Sequence, residues 1–137
     1  MINLKKLAVG KNSLEELKHF QILKLKQNNE ISVKTKNTPK RKPEILDGGS
    51  LYWIIKNRFA IRQLVIDIRE NISYEGKKYC LIILDRKIIQ VEKISQRPFQ
   101  GWRYLKLNNS PKDINLNLRK KIPEELSNHL SEIGFKN

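Results

Sequence analysis

Two segments of the chain interleave aromatic rings with cationic side chains. "YWIIKNRFAIR" carries Tyr52, Trp53, Lys56, Arg58, Phe59 and Arg62, and "RPFQGWRYLK" carries Arg97, Phe99, Gln100, Trp102, Arg103, Tyr104 and Lys106. A ring or guanidinium plane offers a flat face on which a nucleobase stacks, while lysine and arginine at the rim meet phosphates. Each stacked base contributes about 1–3 kcal/mol, so two or three such rings would matter. The competing use of the same rings is apolar filling of a small barrel. Trp53 shares a strand face with Leu51 and Ile55, which favours the core. Trp102, beside a Pro-Gly loop and Arg103, is open to either role.

The charge of the chain points the same way. Its 137 residues hold 28 Lys+Arg against 14 Asp+Glu, a net charge of +14. An excess of this size attracts polyanions, nucleic acid first and anionic membrane surfaces second. Richness in Lys, Ile and Asn together also arises from codon bias, but the cations are clustered. Lys34, Lys36, Lys40, Arg41 and Lys42 fall within "VKTKNTPKRKP" with no acid, and between Glu92 and Asp113 come Lys93, Arg97, Arg103, Lys106 and Lys112, again with none. Glu124, Glu125 and Glu132 gather near the end.

Signatures of catalysis are sparse. His19 and His129 each stand alone on an expected helix, without the Cys, His or carboxylate spacing of a metal pair. The chain has no G-x-S-x-G, Walker loop or G-x-G-x-x-G. Gly48-Gly49 is a weak phosphate-loop signal, because a strand rather than a helix N-terminus follows it. Asp47, Asp67 and Asp85 are carboxylates that nothing in their spacing brings together. The single Cys80 excludes a disulfide framework and reads as a small buried hydrophobe. No cofactor or metal is expected. No apolar run approaches the roughly 20 residues of a spanning helix, and the start "MINLKKLAVGKN" lacks the apolar region of a signal peptide. The expectation is a cytoplasmic protein without membrane association; the oligomeric state is not set by sequence.

The elements that must position these residues form one domain over 1–137. "INLKKLAVG" alternates as a strand ending at Gly10. Ser13, three residues before Glu16, has the capping-box spacing, and Leu14, Leu17, Phe20, Ile22 and Leu25 follow as a helix over about 13–27. "ISVKTK" is a strand, and "NTPKRKPE" a basic exposed connector, since Pro39 and Pro43 lack amide donors. In "ILDGGSLYWIIK", Asp47 caps a turn, and Gly48 and Gly49 allow positive φ. The strand after them sends Leu51, Trp53 and Ile55 to one face and Tyr52, Ile54 and Lys56 to the other. "IRQLVIDIRE", with Leu64, Ile66 and Ile68 on one face, "YCLIILD", "RKIIQVEKI" and "WRYLKL" complete about seven strands. Pro123 opens a C-terminal helix that closes at Gly134. Consecutive strands with short turns argue an α+β fold with a mostly antiparallel, barrel-like sheet of six or seven strands between two helices.

"ILDGGSLYWIIK", "IRQLVIDIRE" and "RPFQGWRYL" resemble the blocks of a bacterial domain-of-unknown-function family, which carries DGGSLYWVIKG and RPFQGWRYL. The likeness spans nearly the whole chain, including the "KLAVG" start and the "TPKR" connector. It implies membership and brings no reaction with it. Where that family has glycine after its lysine, this chain has Asn57, which also tolerates positive φ. A looser likeness, Trp53 to Lys56 followed by Arg62 to Ile68, is to PUA-like pseudo-barrels, which bind RNA or modified bases in a cleft; this is a fold-level analogy.

The function expected is non-catalytic nucleic-acid binding, to structured or modified RNA foremost. Lys40, Arg41, Lys42 and Arg62 would meet phosphates. Trp102, Arg103 and Tyr104 would meet a base or ribose, with Tyr52, Lys56, Arg97 and Gln100 beside them, and Asp47, Gly48, Gly49 and Ser50 would shape the cleft mouth. Two alternatives stand. One is a small hydrolase or nucleic-acid-modifying enzyme using Asp47 or Asp67, with Arg103 holding an anion. The other is a ribosome- or protein-docking module.

Overall fold

The computed structural model describes residues 1–114; the expected C-terminal helix over 123–134 lies outside the described residues. The elements are β1 (Asn3–Leu7), α1 (Leu14–Asn28), β2 (Ile31–Thr35), α2 (Lys42–Leu46), β3 (Ser50–Ile55), β4 (Arg58–Ile72), β5 (Lys78–Leu84), β6 (Ile89–Gln90) and β7 (Trp102–Leu105). The cap of α1 forms as its spacing requires. The Ser13 hydroxyl accepts from the Glu16 amide at 3.2 Å, and the Glu16 carboxylate accepts from the Asn12 amide at 2.9 Å.

The sheet runs β2-β5-β4-β3-β1-β7, with β6 also paired to β4. It is mixed, because β1 lies parallel to β3 while the other strand pairs are antiparallel. β4 pairs with β3 through its first half and with β5 through its second, and a register shift between Val65 and Asp67 marks the change. That bulge overturns the expected alternation. Ile61, Gln63, Val65 and Ile68 turn inward, whereas Leu64 and Ile66 are exposed.

The fold is α+β, but among the described residues the sheet does not close into a barrel, since its outer strands β2 and β7 do not pair. Two prolines follow β2 where a closing ladder would need amide donors. The connector crosses to β7 instead, and it is less exposed than its composition implied: Pro39 is buried, and Lys42–Leu46 form the short α2.

β3 is buried along its whole length, as a central strand should be. Leu51, Trp53 and Ile55 join the main core with Leu4, Ile61, Val65, Ile82 and Leu17 of α1. Tyr52 and Ile54 join a smaller core on the other face with Phe59, Val91 and Leu105. The main core contains one polar knot, in which Gln63, fully buried, accepts from Trp53 Nε1 and from Gln21 of α1, both at 2.8 Å. Its own amide donates to Gln21 Oε1 at 2.9 Å and to the Asp85 carbonyl at 3.0 Å, so every capacity is satisfied.

Candidate functional site

Strand alternation splits the second aromatic block at β7. Trp102 and Tyr104 point to one face, stacked edge-on with centroids 4.9 Å apart, and Arg103 points to the other. The connector packs on the first face. Trp102 Nε1 donates to the Asn37 carbonyl at 2.8 Å, the Arg41 amide donates to the Tyr104 hydroxyl at 3.0 Å, and the Arg41 guanidinium lies 5.5 Å from the Tyr104 ring centre. Two segments some sixty residues apart in sequence, Lys40–Lys42 and Trp102–Tyr104, therefore share one rim. Arg41 is itself held by Glu44 through a bidentate pair at 2.9 and 2.6 Å, which raises its pKa, whereas Lys40 and Lys42 are exposed.

On the other face Arg103 sits 5.0 Å from the Phe99 ring centre and Lys5 sits 5.5 Å from the same ring. Lys5 and Arg103 are direct cross-strand partners, and the Lys5 ammonium donates to Gln96 Oε1 at 2.9 Å. Burial, and then the charge of Arg103, push the Lys5 pKa below the usual lysine value. The Gln96 backbone N–H donates to the Asn57 carbonyl at 2.8 Å, so the β3–β4 hairpin tip at Lys56-Asn57 rests on the loop that leads to β7. Asn57 takes φ 62 there and Lys56 φ 51, as a two-residue hairpin turn demands.

These contacts frame two clefts that meet at Phe59. One, of about 380 Å³, is lined by Lys5, Phe59, Gln96, Tyr104, Lys106 and Asn109 among others. Its neighbour, of about 510 Å³, is lined by Lys56, Arg58, Phe59 and Lys93 among others. Among the described residues no carboxylate lines either cleft. Arg97 and Gln100 are exposed on the loop above.

Two residues expected at this surface lie elsewhere. Tyr52 is only 5% exposed, packed edge-on against Phe59 at 6.2 Å, and burial raises its pKa. Arg62 binds Asp113 through Nε and Nη2, both at 2.8 Å, and gives Nη1 to the Ser50 hydroxyl at 2.8 Å. The pair holds the Asp113 carboxyl below and the Arg62 guanidinium above their ordinary values.

The glycine turn borders a third, polar cleft, apart from the two at Phe59. Gly48 and Ser50 line it with Asn3, Tyr52, Arg62 and Asp113. The network continues from the Ser50 amide to Asn3 Oδ1 at 2.8 Å, and from Asn3 Nδ2 to the Ser110 hydroxyl at 2.9 Å. Gly48 adopts φ +91, and Gly49 lies so close to the Ile2 and Ile45 carbonyls that no Cβ fits.

Among the described residues no hydrogen bond or ion pair joins Asp47, Asp67, Asp85 and Arg103 to one another. Asp67 is held below the usual carboxylate range by Arg69 at 2.9 Å and by the Ile68 amide. Cys80 is buried, and burial raises its pKa. His19 is exposed on α1, and His129 lies outside the described residues. No group of three or more His, Cys, Asp or Glu side chains among the described residues is placed to hold a metal ion, and no helix among them is long and apolar enough to cross a membrane.

Arg58, Lys93 and Lys106 belong to the basic segments but had no expected role in the site, and Lys5 lies outside those segments altogether. Its alternation with Lys6 is visible in "LKKL", but its partnership with Arg103 depends on a strand pairing across most of the chain. Neither the curated proteins nor the solved structures give a match to this sequence. The family model described as "Protein of unknown function (DUF1489)" matches residues 4–136, nearly the whole length, and the chain belongs to that family.

Proposed function

We propose that this chain is a non-catalytic nucleic-acid-binding module, with RNA its favoured ligand. The observation that carries the reading is the pair of clefts meeting at Phe59, which present Lys5, Lys56, Arg58, Lys93 and Lys106 with no lining carboxylate among the described residues. A cationic groove of this kind tracks a phosphate backbone. Beside it, Arg103 and Phe99 on one face of β7, and Trp102 and Tyr104 on the other, supply planes for bases or riboses. Lys40 and Lys42 are exposed beside the Trp102–Tyr104 face, and Arg97 and Gln100 are exposed on the loop before β7. Arg62 contributes little to such binding, because Asp113 neutralises it. The likeness of the Trp53–Lys56 and Arg62–Ile68 segments to PUA-like RNA binders adds an analogy in the same direction.

The enzyme reading, with Asp47 or Asp67 acting beside Arg103, draws less support, since Arg69 engages Asp67 and Phe99 engages Arg103. A ribosome-docking role would use the same cationic surface.

The test is a salt titration of binding to single-stranded RNA, structured RNA and duplex DNA. Removing Lys5, Lys56 and Lys106 together should flatten the logarithmic salt slope on single-stranded RNA by about two units. Arg62→Ala should leave the slope unchanged. Equal slopes for wild type and the triple variant would sink the proposal and mark the net charge as compositional.

A further inference from the structure

On the face of the sheet opposite Lys5 and Arg103, α1 and the strands β1 and β2 border an open-mouthed cavity of about 260 Å³. Leu17, Ile31, Val33 and Trp53, all buried, give it an apolar floor. Lys6, Lys11 and Lys24 also line it, and among the described residues no carboxylate does. Lys11 and Lys24 hold their ammonium groups 3.7 and 5.0 Å from the centre of the Phe20 ring, and Lys24 also donates to the Ser32 carbonyl. Lys6 stands in register between Trp53 and Trp102, half-buried, with no hydrogen-bond or ion-pair partner among the described residues. Burial lowers the pKa of Lys6, and burial followed by the charge of Lys11 lowers that of Lys24. Burying an ammonium beside apolar walls is costly, and an anion drawn to the same place relieves that cost.

We propose that this cavity is a binding site for a small organic acid, its apolar body against Trp53, Leu17 and Val33 and its carboxylate or phosphate head on Lys6, Lys11 and Lys24. At about 260 Å³ the cavity falls just below the roughly 300–1,000 Å³ of pockets that take drug-sized ligands, which suits a small molecule. The site goes beyond the nucleic-acid reading, because it lies across the sheet from Lys5 and Arg103 and shares no lysine with the clefts at Phe59.

The experiment uses Trp53 emission in a Trp102→Phe background, where Trp53 is the one remaining indole. Octanoate and octyl phosphate are titrated in separate arms to tell a carboxylate from a phosphate ligand, with inorganic phosphate as the head-group control. The expected result is a saturable change with half-saturation below about 1 mM for at least one amphiphile. Lys6→Met should weaken it about tenfold or more. Lys24→Gln, which keeps a donor for the Ser32 carbonyl, should weaken it less, and Lys18→Met, on the exposed surface of α1, not at all. Near-UV circular dichroism checks that Lys6→Met retains its packing. The proposal falls if neither amphiphile saturates, or if Lys6→Met and Lys24→Gln both bind as wild type does. It falls also if inorganic phosphate alone reproduces the response, since the apolar floor would then have no part.

Discussion

Gly48 and Gly49 are adjacent, yet alanine at each should fail for a different reason and by a different amount. Gly48 has φ +91, where an L side chain is strained, and the one close neighbour of a Cβ there is the flexible end of Met1 at 3.1 Å. Gly48→Ala should therefore cost about 1–2 kcal/mol, the backbone penalty alone. Gly49 is not in the left-handed region. A Cβ on it would lie 2.2 Å from the Ile2 carbonyl oxygen and 2.6 Å from that of Ile45, where real contacts do not go below 3.0 Å. Relief requires the Ile2 carbonyl to retreat by at least about 0.8 Å. Ile2 and Ile45 are both buried, and the Ile45 carbonyl also accepts the Gly49 amide at 2.7 Å, so neither oxygen moves without its element. Two backbone clashes of this depth place Gly49→Ala at about 4 kcal/mol, beyond ordinary overpacking. Urea unfolding of both variants against wild type reads the difference as a shift in midpoint at constant slope. The reasoning is refuted if Gly49→Ala lies within about 1 kcal/mol of wild type, or if Gly48→Ala is the more damaging change.

Two further outcomes follow from buried or paired polar groups. Gln63→Leu strips the partner from Trp53 Nε1 and from the Gln21 amide, and should cost about 2–4 kcal/mol in urea unfolding, with the Trp53 emission altered; a cost under about 1 kcal/mol would mean the knot is dispensable. The Arg62–Asp113 pair lowers the folded-state pKa of Asp113, so its stabilisation is complete above the unfolded carboxyl value of about 4 and is lost as pH falls through the lower folded value. With the Asp113 side chain 45% exposed, the contribution is about 1 kcal/mol. Asp113→Asn should accordingly be less stable than wild type at neutral pH and converge with it in strong acid. A gap that persists at low pH would assign the effect to something other than the ion pair.

Local patterns carried much of the fold. The Ser13 cap, the faces of β3 and the turn at Asn57 each depend on residues a few positions apart, and each forms as read. What failed depended on distance. The bulge after Val65 arises because β4 changes partners, which no alternation within "IRQLVIDIRE" announces. The same limit governs the site. Aromatic and basic residues in one block were legible, but β7 alternation sends Arg103 away from Trp102, and a single aspartate fifty residues downstream neutralises Arg62. Tyr52 was legible as opposite in face to Trp53, yet the second core that covers it is assembled from Phe59, Val91 and Leu105, which only tertiary structure gathers.

The consecutive pair Lys5-Lys6 shows why that limit matters for function. A strand sends neighbouring side chains to opposite faces, so "KK" in β1 delivers one ammonium to Phe99 and Arg103 and the other to the row between Trp53 and Trp102. Burial lowers both pKa values, and for a lysine this means stability that rises with pH between the folded and the unfolded value. An anion bound on either face restores the charged form of the lysine it meets, so binding at alkaline pH takes up protons. RNA in the clefts at Phe59 would raise the pKa of Lys5, and an organic acid in the α1 cavity would raise that of Lys6. The two lysines, adjacent in sequence and separated by the thickness of a sheet, thus report on the two proposed ligands independently.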